Sequence, residues 1–168
     1  MSANPDPTHP EARPPLPFFV RAFASALFTG YIPFASGTFG SLVGLAFYLI
    51  PGFEGPYVIM PACFLVLLAG ARLAEPMEAA YGHDPAQVTI DEVLGMWVSL
   101  FLLPKNWLVA AAAFFVFRFF DIVKPFPARR FDRQHGGFAI MMDDVVAGVY
   151  TNLLLHLALM LPFVQRFL

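Results

Sequence analysis

At 168 residues the chain has the length of one domain, and it is 58% hydrophobic, only 13% charged, with a mean hydropathy of +0.66. An ordinary soluble domain carries roughly 25% charged residues, so the composition points to a membrane protein or an unusually apolar helical bundle. A net charge of −2 gives no overall polyanion-binding surface and implies no nucleic-acid partner, and the single cysteine, Cys63, excludes an intramolecular disulfide and a cysteine-based metal site.

Residues 1–17 are polar and rich in proline (Pro5, Pro7, Pro10, Pro14, Pro15, Pro17) and read as a disordered tail, with residues 18–168 as a single helical domain. The tail lacks the basic-then-apolar-then-small order of a signal peptide. From Phe18 to Phe28 apolar residues recur at helical spacing, as in a short amphipathic helix on a membrane surface or a packed core helix. Residues 30–41 form a loop in which Thr38 or Ser41 is placed to cap the next helix. The start of such a helix presents free N–H groups suited to a phosphate.

Five apolar segments follow, at about 39–50, 57–71, 93–103, 107–120 and 145–164. A spanning helix needs about 20 apolar residues, and only the fifth segment reaches that length cleanly. Strand alternation is absent and Ala110-Ala111-Ala112-Ala113 favours helix. The fold class expected is all-α: a compact helical bundle with about four to five apolar, membrane-associated helices.

If the segments alternate across a membrane, residues 13–41, 72–92 and 118–144 share one side. That side carries Arg13, Arg21, Arg72, Arg118, Lys124, Arg129, Arg130 and Arg133, against Lys105 and Arg166 on the other. The positive-inside rule then makes the first side cytoplasmic. Asp84, Asp91, Glu92, Asp121, Asp132, Asp143 and Asp144 fall on it too.

Three constellations on that side carry chemistry. Asp91-Glu92 opens the third segment, where the helix dipole favours acids. Asp121 and Lys124 are three apart, so on a helix they share a face: they either pair with each other before Pro125 or face a metal and a phosphate. Asp143-Asp144 begins the fifth segment, beside the basic, glycine-bearing loop 129–137, which reads either as a headgroup-binding patch or as part of a site. Acids this close repel unless a cation lies among them, and hard oxygen ligands suit Mg2+. Basic groups beside carboxylate-bound Mg2+ are what phosphate chemistry requires, and a site at a membrane edge implies a lipid phosphate. Cys63 lies in an apolar run, no Asp-x-Asp-x-Thr or Pro-Ser-Gly-His block occurs, and no nucleotide-binding Gly-rich loop is present.

The blocks Tyr31-Ile32-Pro33, Ser36-Gly37-Thr38-Phe39-Gly40-Ser41, Ile90-Asp91-Glu92-Val93-Leu94-Gly95-Met96-Trp97, Phe117 to Pro127, Phe131-Asp132-Arg133 and Gly136 to Gly148, in this order, closely resemble the phosphatidylglycerophosphatase A family over about residues 20–160. The resemblance implies a Mg2+-dependent hydrolase of the bacterial cell inner membrane. Its substrate would be phosphatidylglycerophosphate, and no protein partner is implied. Matching acidic positions are Asp91, Glu92, Asp121, Asp143 and Asp144, with the lysine at Lys124 and a His-Asp pair at His83-Asp84. Together these lines give the expected site. Asp91, Glu92, Asp143 and Asp144 bind the metal, and Asp121 is a further ligand or a base. Lys124 with Arg129 or Arg130 holds phosphate, and Thr38 and Ser41 add contacts. The rival readings are a non-catalytic membrane protein that binds anionic lipid and a lipid phosphotransferase, whose acids would sit at i, i+3, i+4 on one helix.

Overall fold

The structure, a computed structural model, describes residues 16–165. Among them are eight α-helices, one 3-10 turn and no strand. The helices are α1 (Phe18–Ala24), α2 (Ser36–Leu49), α3 (Pro56–Tyr81), α4 (Ile90–Leu100), α5 (Trp107–Val123), α6 (Ala128–Asp132), α7 (Gly137–Leu159) and α8 (Pro162–Gln165), with the 3-10 turn at Thr29–Tyr31. The all-α expectation holds. The tail expected at 1–17 lies outside the described residues except for Leu16 and Pro17.

The boundaries follow local chemistry, and several differ from those read from hydropathy. α2 starts at Ser36 with Ala35 before it, so Thr38 and Ser41 lie inside the helix and cap nothing. α3 runs ten residues beyond Ala71, because Arg72, Glu75 and Glu78 interrupt the apolar run without interrupting the helix. Asn106 caps α5 by accepting the Leu108 N–H at 2.8 Å. α5 ends at Val123, and Lys124 takes a left-handed conformation (φ 45°) just ahead of Pro125, which cannot continue the helix. Ala128–Asp132, expected as loop, is one short helix. The last long helix, α7, begins at Gly137, eight residues before the expected start, and stops at Leu159 ahead of Pro162. Asp143 and Asp144 therefore lie inside a helix rather than before it.

α4 is the centre of the bundle. Leu94, Met96 and Leu100 are fully buried, with Tyr48 of α2, Ile59 and Met77 of α3, Phe117 of α5 and Met141 of α7 around them. Its C-terminal carbonyls are bound by the Asn152 side chain, which donates to Ser99 O (3.1 Å) and Phe101 O (2.7 Å). The turns after α2 and α4 meet at this same end: Lys105 Nζ donates to Glu54 Oε2 (2.8 Å) and to Ile50 O (2.9 Å).

α3 and α7 are each long and apolar enough to cross a bilayer. At 1.5 Å per residue they reach roughly 39 and 35 Å against a hydrocarbon core of about 30 Å. One clean span was expected, and the longer α3 supplies a second. Only 17% of the apolar stretch of α3 is buried, against 50% for α7, so α3 turns most of its side chains outward. Phe64, Leu65 and Leu68 on α3, Phe115, Phe119 and Ile122 on α5, and Leu153 and Leu157 on α7 are all exposed. An apolar exterior of this extent is what a lipid phase covers.

Candidate active site

The two acid pairs meet because α4 and α7 touch backbone to backbone at glycines. A Cβ on Gly148 would lie 2.6 Å from Gly95 O, and one on Gly95 would lie 2.5 Å from the Phe117 ring and 2.9 Å from Asp144 O. α2 packs on the other side of α4 in the same way, with Gly37 against Glu92 and Arg118, Gly40 against Thr89, and Gly44 against Val93 and Met96. The glycine run at 36–44 is thus a helix-packing face. Ser41 is fully buried and its hydroxyl donates to Gly37 O at 2.9 Å, which removes it from the expected phosphate contacts. Thr38, partly buried in the first turns of α2, is not among the residues lining the cavities described below.

At the end of the bundle opposite Lys105, a cavity of about 210 Å³ is lined by Asp84, Asp91, Glu92, Asp121, Lys124, Asp143 and Asp144. Every acid expected at the site faces it, together with Asp84 of the loop after α3. Their partners divide them. Arg118 Nη1 lies 2.6 Å from Asp121 Oδ2, one turn along α5, and 3.9 Å from Glu92 Oε1. Lys124 Nζ contacts Asp143 Oδ2 (2.6 Å), Asp132 Oδ1 (2.5 Å) and Asp84 Oδ2 (3.6 Å). Asp121 and Lys124, expected either to pair or to face a metal and a phosphate, do not pair. The left-handed turn at Lys124 carries its side chain off the face it would share with Asp121.

Three carboxylates keep an unpaired oxygen. Asp91 Oδ1, Glu92 Oε2 and Asp144 Oδ2 are buried without a hydrogen-bond partner, and ligand atoms of these three residues all lie within 4.8 Å of one another. Orphaned buried charges are expensive. Three converging carboxylate oxygens with no nitrogen or sulfur among them fit a hard divalent cation such as Mg2+. Of the four expected ligands, Asp91, Glu92 and Asp144 converge in this way, while Asp143 is engaged by Lys124. Burial, with Asp84 and Asp121 adding repulsion, lifts the Asp91 carboxyl to about 6. Burial and the adjacent Asp91 push Glu92 well above the ordinary carboxylate range. Burial alone would work against the Lys124 ammonium, but Asp143, Asp132 and Asp84 outweigh it and hold Lys124 charged.

Lys124 also lines a second cavity, of about 400 Å³, with Phe126, Arg129, Arg130 and Arg133. Arg129 and Arg130 are exposed and make no contact with the carboxylates, so the two cavities carry opposite charge and share Lys124. Arg118, Asp132 and Arg133 were missed as site residues. Arg118 was legible three residues before Asp121 on the same helix. Asp132 and Arg133 belong to one of the blocks that carry the family resemblance, but nothing in their spacing tied them to Lys124 or to the cavities.

An all-helical bundle with an apolar exterior and a buried, carboxylate-lined cavity at one end is the build of a membrane-associated enzyme. The family model for phosphatidylglycerophosphatase A matches residues 22–159, and the chain belongs to that family. It is 38% identical to phosphatidylglycerophosphatase A of Escherichia coli over 76% of each chain. It is 39% identical to phosphatidylglycerophosphatase A of Haemophilus influenzae, over 73% of this chain and 77% of that one. A Bacteroides thetaiotaomicron protein provisionally named phosphatidylinositol-3-phosphatase is 40% identical over 77% of this chain and 87% of its own. No solved structure matches the chain significantly.

Proposed function

We propose that this chain hydrolyses the terminal phosphate monoester of phosphatidylglycerophosphate to phosphatidylglycerol and inorganic phosphate. The reaction is Mg2+-dependent and belongs to phospholipid biosynthesis, at the cytoplasmic face of a bacterial inner membrane. The observation that carries this reading is the junction at Lys124: three unpaired carboxylates on one side of it and an arginine-lined cavity on the other. A lipid with a phosphate at the end of its headgroup suits that polarity.

Asp91, Glu92 and Asp144 would hold the ion, which when bound supplies polarisation of a phosphoryl oxygen and neutralises charge. Lys124 meets the phosphate at the mouth between the cavities, and Arg129 and Arg130 bind the remaining headgroup phosphate and steer the anionic lipid inward. Asp143 and Asp132 hold the Lys124 ammonium in place, which confines the cation before substrate arrives. Asp121, oriented by Arg118, faces the cavity and is placed to accept a proton from water as it attacks phosphorus; the phosphorus–oxygen bond to the glycerol breaks, and the departing glycerol oxygen takes up a proton to leave as the alcohol. Asp91, Asp143 and Asp144 are buried, which lowers the local dielectric and strengthens their hold on a cation. The basic and acidic residues gather at one end of the bundle, which supports a cytoplasmic site by the charge rule.

The test is phosphate release in mixed micelles from phosphatidylglycerophosphate, phosphatidate and phosphatidylinositol 3-phosphate, with Mg2+ and with chelator. Release from the first, abolished by chelator, is expected. Release confined to the inositol lipid would transfer the specificity to that of the Bacteroides relative's name, and no release from any would sink the enzyme reading.

A further inference from the structure

We propose that Glu78, His83 and His135 form a second cation site, one that takes a divalent transition metal of the zinc class and clamps the rim of the acidic cavity. His83 Nδ1 and His135 Nδ1 lie 3.0 and 2.9 Å from the same oxygen, Glu78 Oε1, and ligand atoms of the three residues are all within 4.8 Å of one another. The other ring nitrogen of His83 decides what that contact is. His83 Nε2 lies 2.9 Å from Asp132 O, a carbonyl that can only accept, so Nε2 carries the proton. In a neutral ring Nδ1 is then a lone pair, and it faces a carboxylate oxygen. Two acceptors stand at that distance only with a shared proton or a metal ion between them.

The surroundings are those of a ligand set. A histidine that binds metal through one nitrogen commonly donates from the other to a backbone carbonyl, as His83 does to Asp132. The carboxylate is also held, because Gly136 N–H donates to Glu78 Oε2 at 2.7 Å. Two imidazoles and one carboxylate with a position left open suit Zn2+ and neighbouring late first-row ions, whereas Mg2+ prefers oxygen ligands. Both rings are accessible, with side-chain exposures of 39% and 79%, so an ion has a path in.

The ligands come from the end of α3, the loop after it and the loop before α7. Asp84, next to His83, lines the acidic cavity, and Asp132, whose carbonyl holds His83, contacts Lys124 through its side chain. An ion here would fix these two loops to α3 and so set the position of Lys124.

The full chain, free of any histidine tag, is stripped with chelator in detergent and titrated with Co2+ and Zn2+ in excess Mg2+, which occupies the carboxylate site. One saturable equivalent is expected, with a visible Co2+ spectrum of nitrogen–oxygen ligation. His83→Ala and His135→Ala should each weaken binding by more than the about 10–100-fold that loss of a supporting hydrogen bond causes, while Asp144→Asn leaves it unchanged. Zinc-edge absorption on the wild-type chain, which needs no variant to fold, should show two imidazoles around the ion. No saturable Co2+ or Zn2+ binding, fewer than two imidazoles, or binding unchanged in both histidine variants would overturn the site. Phosphate release is not the readout, so failure here leaves the proposed activity standing.

Discussion

Asp144→Asn should make the metal-free protein more stable and remove most of the stability that Mg2+ adds. Asp144 is 2% exposed and its Oδ2 has no partner. The ligand atoms of Asp91, Glu92 and Asp144 lie within 4.8 Å of one another. Two unit charges at that separation repel by about 3 kcal/mol at an effective dielectric of about 20, and Asp144 enters two such pairs. Partial protonation of the cluster removes part of that energy, which leaves a relief on the order of 1–3 kcal/mol when Asp144 becomes a neutral isostere. For a chain of this size that raises the metal-free Tm by roughly 5 °C. In the wild type, Mg2+ at 100 times its Kd adds about 2.7 kcal/mol, and loss of one charged ligand should remove most of that gain. Thermal unfolding followed by tryptophan fluorescence in detergent should therefore show the variant above wild type in chelator and a Mg2+ shift in wild type that the variant largely lacks. Phosphate release by the variant should be lost. A variant that melts lower than wild type in chelator, or that keeps both the full Mg2+ shift and full Mg2+-dependent phosphate release, would refute the assignment of these three carboxylates to a metal.

Other perturbations test the remaining parts of the site. Lys124→Met leaves Asp143, 4% exposed, without its cation. Breaking a buried pair costs about 3–5 kcal/mol, and the partial exposure of Lys124 reduces this to about 2. Phosphate release should fall at least about 100-fold; the double variant with Asp143→Asn should recover the stability, read from chemical denaturation, but not the activity. Gly148→Leu puts a side chain where 2.6 Å separates the ideal Cβ from Gly95 O. It should destabilise by roughly 1–3 kcal/mol or more and, by prising α4 from α7, abolish the Mg2+-dependent rise in Tm. The pH dependence follows from Asp91, whose carboxyl is raised from 3.8 to about 6. A raised folded pKa contributes stability below about 4 that is lost as pH climbs through 6, amounting to about 3 kcal/mol at roughly 1.4 kcal/mol per unit. In chelator, the stability of wild type relative to Asp91→Asn should fall across that window, and Mg2+ affinity by calorimetry should rise across it, because the ligands must be deprotonated to bind.

Hydropathy located the apolar helices well and their ends poorly, for a consistent reason. Apolar runs mark where a helix meets lipid or core, and at the charged end of this bundle the helices continue after the apolar run stops. α3 carries Glu75 and Glu78 on helical turns beyond Ala71, and α7 begins at Gly137, so both reach the site as helix beyond their apolar runs. The gathering of the acids on one side was legible from alternation alone. Their pairing was not, because it depends on backbone conformation at single residues. A three-residue spacing relates Asp121 equally to Arg118 before it and Lys124 after it. Only the left-handed turn at Lys124 breaks that symmetry, giving Asp121 to Arg118 and Lys124 to Asp143 and Asp132. The same turn explains the division of labour. Two of the acids are satisfied by cations of their own, and what remains unsatisfied is confined to Asp91, Glu92 and Asp144. Glycines at 37, 40, 95 and 148 let α2, α4 and α7 close tightly enough to keep those three together. Small residues that looked like a phosphate loop thus serve the site from behind, by setting how close its helices stand.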